Sequence, residues 1–167
     1  MLIIKQGLSK KEKLAIQFLL SEIPDVYSEF YLTRNRLRIF IKENLALLFE
    51  NLKKGDKIIY EKDRGIAIIT GFAEKTIEIF DTKTNETKIV PSRKHIKILA
   101  KDAVSVERIL KFAGWHFKED LFCKMKRANP SLQIFLNNGY QFAGGRGKEI
   151  LLRKPPKLKR EFIPQKD

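Results

Sequence analysis

His95 and His116 are the only imidazoles in the chain, and Cys123 is its only thiol. A structural or catalytic zinc site needs three or four such ligands at close spacing, so this set predicts no metal. His95 lies in a strand-like run between Lys94 and Lys97 and reads as a surface histidine, the alternative being an imidazole beside a cofactor. His116 follows Trp115 in AGWHF, a cluster suited to packing. Cys123 alternates with apolar neighbours, as a buried structural thiol does. The string GGRGK at 144–148 has the composition of a phosphate loop. A P-loop, however, requires a glycine where Phe142 stands and a hydroxyl residue where Glu149 stands, so the string reads as hairpin turn chemistry.

Charge is the second chemical signal. Thirty-four Lys and Arg against twenty Asp and Glu give a net charge of +14. Such an excess steers anions toward the surface, nucleotide cofactors and nucleic acids among them. The competing reading is a solvated excess that reflects a lysine-rich composition. Between Arg146 and Arg160 the basic residues Arg146, Lys148, Arg153, Lys154, Lys157, Lys159 and Arg160 face Glu149 alone. That is either a stripe that tracks phosphates or a solvated face. Tyr140 and Phe142 are interleaved near it, but no helix-turn-helix, zinc-finger or RNP-like pattern accompanies them.

These residues need a scaffold. The chain has 167 residues, 43% hydrophobic and 32% charged, which is enough for one globular domain with a core of its own. Its apolar runs are broken by charge well short of the roughly 18 residues of a membrane span, so no crossing is expected. MLIIKQGLSKKEK places a short apolar stretch ahead of its lysines, the reverse of a secretory signal, and no targeting segment is read there. A single cysteine suits a reducing compartment, so a cytoplasmic location is expected.

Along the chain, residues 2–5 form a short apolar run, and Ser9 with Glu12 makes the S-x-x-E capping box of a helix that Pro24 ends near Glu22. From Arg34 to Lys53, apolar Leu37, Ile41, Leu45, Leu48 and Leu52 recur at helical spacing, with Gly55 as the stop. The period then changes. KIIYEK and GIAIITGFA flank Asp63-Arg64-Gly65 as a hairpin, TIEIF and ETKIV flank a polar turn, and RKHIKILA follows, which together predict an antiparallel meander. Asp102 can cap a helix that buries Val106, Ile109, Leu110 and Ala113, with Gly114 just past its end. LFCKMKR alternates as a strand, and Asn129-Pro130 opens a short helix from Ser131 to Asn138 that Gly139 terminates. A hairpin around Gly144, Gly145 and Gly147 closes the domain at residue 154, and 155–167 reads as a basic, proline-containing tail.

This order, an α/β (α+β) pattern, and above all the segment RANPSLQIFLNNGYQFAGGRGKEILLRK at 127–154, resembles the GNAT superfamily of acyl-CoA-dependent N-acyltransferases. Asn129 and the pair Gly139-Tyr140 stand where such proteins carry an Asn and a Gly-Tyr or Gly-Phe pair. The resemblance implies a mixed, mostly antiparallel sheet of about seven strands with about four helices, and transfer of an acetyl group from coenzyme A to an amine. It also implies a cleft where parallel strands at about 94–100 and 121–127 splay apart. The pantetheine arm would pair along Ile96 to Ala100, with Ile98 and Ala100 beside it and backbone amides near Leu99 holding the oxyanion. The pyrophosphate would lie against Lys101, Ala103, Val104, Ser105, Val106 and Arg108. Asn129 and Phe135 would border the cofactor, and Glu61 or Glu78 would take the ammonium proton through water.

Two departures accompany the resemblance. The junction ILAKDAVSVERIL at 98–110 lacks the glycines with which such proteins wrap the pyrophosphate, and it carries Asp102 there, with Lys101, Arg108 and Lys111 as compensation. Phe135 stands where many members have a tyrosine that protonates the departing thiolate, and a phenylalanine has no proton to give. Two functions therefore remain open. The first is an acyltransferase acting on an amine, with an acceptor on or near a nucleic acid as the version that the basic charge suits. The second is a non-catalytic relative that binds nucleic acid through its basic face.

Overall fold

The computed structural model describes residues 2–5, 7–22, 27–28, 55–71 and 76–156. The helix expected at 34–53 and the tail beyond 156 lie outside them. The elements in chain order are β1 (Leu2–Lys5), α1 (Lys10–Glu22), β2 (Tyr27–Ser28), β3 (Lys57–Glu61), β4 (Gly65–Thr70), β5 (Thr76–Asp81), β6 (Glu86–Pro91) and β7 (Lys94–Ala100). They continue with α2 (Ala103–His116), β8 (Leu121–Lys126), α3 (Leu132–Asn137), β9 (Gln141–Arg146) and β10 (Glu149–Lys154).

The main sheet runs β1-β3-β4-β7-β8-β10-β9, with β2 added beside β7. Every pairing is antiparallel except β7 with β8. The expected fold class holds, and the meander needs one correction: β4 pairs directly with β7, while among the described residues β5 and β6 pair with each other as a separate ribbon. Alternation explains the split. Ile66, Ile68 and Ile69 of β4 are all buried, as a central strand requires, whereas Ile79, Phe80 and Ile89 of the ribbon are exposed.

Local chemistry sets the boundaries. Ser9 and Glu12 exchange the reciprocal capping bonds that open α1, with the Ser9 amide donating to Glu12 Oε1 at 3.0 Å and the Glu12 amide to Ser9 Oγ at 3.1 Å. The Lys5 ammonium meets the same Glu12 carboxylate and ties β1 to the helix. Gly65 sits at φ +155°, where a Cβ would fall 2.4 Å from the Leu99 carbonyl oxygen, so only glycine lets β4 start flush against β7. Asp102 caps α2 by accepting from the Ser105 amide at 2.8 Å. Gly114 does not end this helix as expected. It is buried within it, and Lys154 lies across it, so its role is close approach rather than termination.

One face of the sheet packs against α2 and α3 through Ile59, Ile69, Ile96, Ile98, Leu121, Cys123, Met125, Ile150 and Leu152, with Val106, Ile109, Leu110 and Phe135 facing them. On the other face α1 lies against β4, and its Ile16 and Leu20 are buried.

Candidate functional site

The parallel strands β7 and β8 are joined for two pairs only, Lys94 with Leu121 and His95 with Phe122. Beyond them β7 stays on β4 as far as Ala100, and β8 stays on β10 along its whole length. The two strands therefore diverge, as the cleft expectation required. Helix α2 starts immediately after β7, so its N-terminus stands at the C-terminal end of that strand, where open α/β sheets take ligands.

Two features of β7 bear on the edge expected to take the pantetheine arm. The Lys101 amide donates to the Arg64 carbonyl at 3.0 Å. By antiparallel alternation the Leu99 N–H then points at Ile66 of β4, and Ile98 and Ala100 present theirs to the opposite edge. The register runs without a bulge, so of the amides near Leu99 those of Ile98 and Ala100 face the opening and that of Leu99 does not. Moreover, β2 already pairs there, Tyr27 with Ala100 and Ser28 with Leu99, on the end of the edge assigned to the pantetheine arm.

At the α2 N-terminus the expected amides divide. Ser105 gives its amide to the Asp102 carboxylate and Val106 to the Asp102 carbonyl at 3.2 Å, and both residues are buried. Ala103 and Val104 are exposed, and their amides carry the unsatisfied helix end. Burial alone would raise the Asp102 pKa, but hydrogen bonding with Ser105 and the charges of Lys101 and Arg64 hold it below its ordinary value. A carboxylate charge thus stands at this terminus, with Lys101 and Arg64 beside it.

Glu61 and Arg108 occupy each other. Arg108 Nε donates to Glu61 Oε1 at 2.8 Å, a second guanidinium nitrogen reaches Oε2, and Arg64 Nε stands 3.7 Å away. The Arg108 hydrogen bonds hold the Glu61 carboxyl below its usual range against the opposing effect of burial. With Glu61 only 2% exposed, its carboxylate is a structural anion rather than a base open to water. Glu78 is exposed on the separate β5–β6 ribbon and shares no element with Glu61.

Asn129 and Phe135 also turn inward. Asn129 is buried, and its Oδ1 accepts from the Ser131 amide at 2.8 Å in a turn, so α3 begins later than the proline suggested. Phe135 is wholly buried, edge-to-face on Tyr140 with ring centroids 5.0 Å apart. Burial pushes the Tyr140 phenol far up, and its hydroxyl has no hydrogen-bond partner among the described residues.

One constellation was missed by sequence reasoning. His95 and Lys97 share the face of β7 away from α2, Phe122 and Lys124 share that face of β8, and Arg93 precedes β7. His95 lies 5.9 Å from the Phe122 ring, and the Arg93 guanidinium sits over that ring at 4.9 Å. Burial, then Lys124, Arg93 and Lys97, lower the His95 pKa and favour the neutral imidazole. The alternation Arg93-x-His95-x-Lys97 was visible in the sequence, whereas the contribution of β8 needs the parallel register.

Among the described residues no group of His, Cys, Asp and Glu could hold a metal ion, and no helix is long and apolar enough to cross a membrane. No protein-family profile matches the chain, and no curated protein matches it in sequence. Solved structures do. PH1933 from Pyrococcus horikoshii OT3 superposes with a TM-score of 0.54 at 10% identity, over 95% of this chain and 100% of that one. An N-acetyltransferase from Staphylococcus aureus Mu50 superposes with a TM-score of 0.50 at 15% identity, over 93% and 97%. The chain therefore has the fold expected from its resemblance to the GNAT superfamily, a mixed, mostly antiparallel sheet opened between its two parallel strands.

Proposed function

We propose that this chain is a divergent GNAT N-acyltransferase, moving an acetyl group from coenzyme A to an amine. The observation that carries this reading is the opening between β7 and β8 with the α2 N-terminus at its mouth. The fold shared with an N-acetyltransferase of Staphylococcus aureus agrees with it.

The residues present fit the phosphates of coenzyme A without glycine. The first-turn amides of the exposed residues Ala103 and Val104 would meet them at the positive end of the helix dipole, where Arg64 and Lys101 offset the Asp102 carboxylate. When bound, coenzyme A supplies an activated thioester. The amine nitrogen attacks its carbonyl carbon, the C–S bond breaks, the thiolate gains a proton and the new ammonium loses one. The chain would hold the arm against the outward edge of β7, where β2, paired with Leu99 and Ala100, would have to yield.

The domain would span 1–154, since β10 ends at Lys154, with 155–167 a basic tail. A cytoplasmic location fits this reading. The finer expectation, an acceptor on or near a nucleic acid, has the net charge of +14 as its support.

Calorimetric titration with acetyl-CoA, paired with a thermal melt, tests the proposal. A ligand that binds only the folded form adds about 2.7 kcal/mol at a hundredfold excess over Kd, so a rise of several degrees is expected. Absence of both binding heat and a melting shift would overturn the reading.

A further inference from the structure

On the face of the opening away from α2, Lys97 of β7 and Lys124 of β8 stand one on each lip, both exposed and each two residues beyond the last joined pair, His95 with Phe122. Arg93, also exposed, lies over the Phe122 ring below them, and His95 is half-buried between. Among the described residues no carboxylate pairs with Lys97 or Lys124, although the nearby Arg153 is held by Asp120 at 3.0 Å. Three cations thus stand near one face of the sheet at the point where it parts. Like charges so placed repel each other, and a doubly charged anion between them removes that repulsion. Lysine ammonium groups are compact, strongly hydrated point charges, which suits them to phosphate.

We propose that Lys97, Lys124 and Arg93 form a phosphate site around His95, and that it receives a phosphate group on the acceptor. The phosphate site stands on this cluster, whereas its assignment to the acceptor rests on the transferase reading. The site is distinct from the α2 terminus, because Ile96, Ile98, Leu121 and Cys123 turn toward α2, and the alternating His95, Lys97, Phe122 and Lys124 turn away.

The chain has two histidines, so the imidazole NMR signals of the intact protein report on the site with an internal control. Adding inorganic pyrophosphate should shift His95 saturably and leave His116 in place. The double substitution Lys97→Gln/Lys124→Gln should weaken that binding at least tenfold, whereas Lys83→Gln/Lys148→Gln, which removes the same charge elsewhere, should not. The shift should persist with coenzyme A at saturation. An unmoved His95, equal movement of His116, equal weakening by both double variants, or loss of the effect with coenzyme A would each overturn the phosphate site.

A second arm tests the acceptor. Acetyl transfer to 2-aminoethyl phosphate should exceed transfer to 2-aminoethanol at least tenfold in kcat/KM, and Lys97→Gln/Lys124→Gln should erase the difference. Transfer without that preference overturns the acceptor assignment and leaves the transferase reading intact. Failure to bind acetyl-CoA overturns the transferase reading, and the acceptor assignment with it, even where the pyrophosphate shift is present.

Discussion

Glu61 and Arg108, forty-seven residues apart in sequence, meet as a two-pronged ion pair that ties β3 to α2. The carboxylate is almost wholly enclosed, while the guanidinium keeps one side in solvent. Removing the carboxylate charge should therefore cost less than breaking a fully buried pair. We expect Glu61→Gln to lower stability by about 2 kcal/mol, the range of hydrogen bonds to charged groups. The sign with pH follows from the lowered folded-state pKa. The stabilisation is complete above the unfolded carboxylate value of about 4.3 and is lost as pH falls through the folded value. Urea melts of both proteins from neutral to acid pH should converge at the acid end. Parallel curves would show that Glu61 does not carry the dependence.

Gly65 makes a sharper case. A methyl group there would meet Leu99 O at 2.4 Å and Ala100 Cα at 2.7 Å, both backbone atoms with no side chain able to swing aside. Its φ of +155° adds strain for any L residue. Gly65→Ala should cost about 3 kcal/mol and shift the β4–β7 ladder. A thermal melt within 2 °C of the parent, by the approximate conversion of free energy to melting temperature for this size, would refute the close approach.

The buried setting of Phe135 reverses what the sequence suggested for it. A tyrosine at this position was expected to supply an acid. In the core, however, the added hydroxyl would displace packed atoms against Tyr140 and find no water. Phe135→Tyr should destabilise by about 1–3 kcal/mol, the usual penalty of an unsatisfied buried polar group, with no gain in acetyl transfer. A variant of parental stability with faster transfer would place the leaving group beside this residue after all.

For the basic C-terminal stripe, the structure changes where a truncation should fall. Arg153 and Lys154 belong to β10, paired with Phe122 and Leu121, so removing them would damage the sheet. Truncation after Pro156 removes Lys157, Lys159 and Arg160 and spares it. If those residues track phosphates, the log-log salt slope of nucleic-acid binding should flatten by about 0.7 to 0.9 per lost contact, equally for unrelated sequences. Unchanged slope and affinity would leave the tail without that role.

What was legible in the sequence was local. The Ser9–Glu12 box, the hairpin at Asp63-Arg64-Gly65 and the Asp102 cap each depend on residues within a few positions, where backbone hydrogen bonding dictates the answer. Gly114 misled because a glycine near a helix end and a glycine under a crossing lysine are the same letter. The meander misled because consecutive strands joined by short turns were read as neighbours, whereas the continuous apolar run of β4 marks a central strand that pairs with β7. At the site, the divergence of β7 and β8 followed from the family resemblance. The pairing of Glu61 with Arg108, the strand β2 on the β7 edge and the lysines on the two lips all need partners brought from far along the chain, which periodicity does not encode.

The parting of the sheet is also a parting of the chain. All strands on one side of it come from residues up to 100, and all strands on the other from residues 121 onward, so the seam in space falls at a seam in sequence. Among the described residues two backbone pairs, the contacts of Arg93 and His95 with Phe122, and the packing of α2 bridge it. Movement across the seam would leave both hydrogen-bonded ladders whole. Among the described elements it is a low-cost sub-global opening of the main sheet, and native-state hydrogen exchange should resolve the molecule into two cooperative units that share one helix.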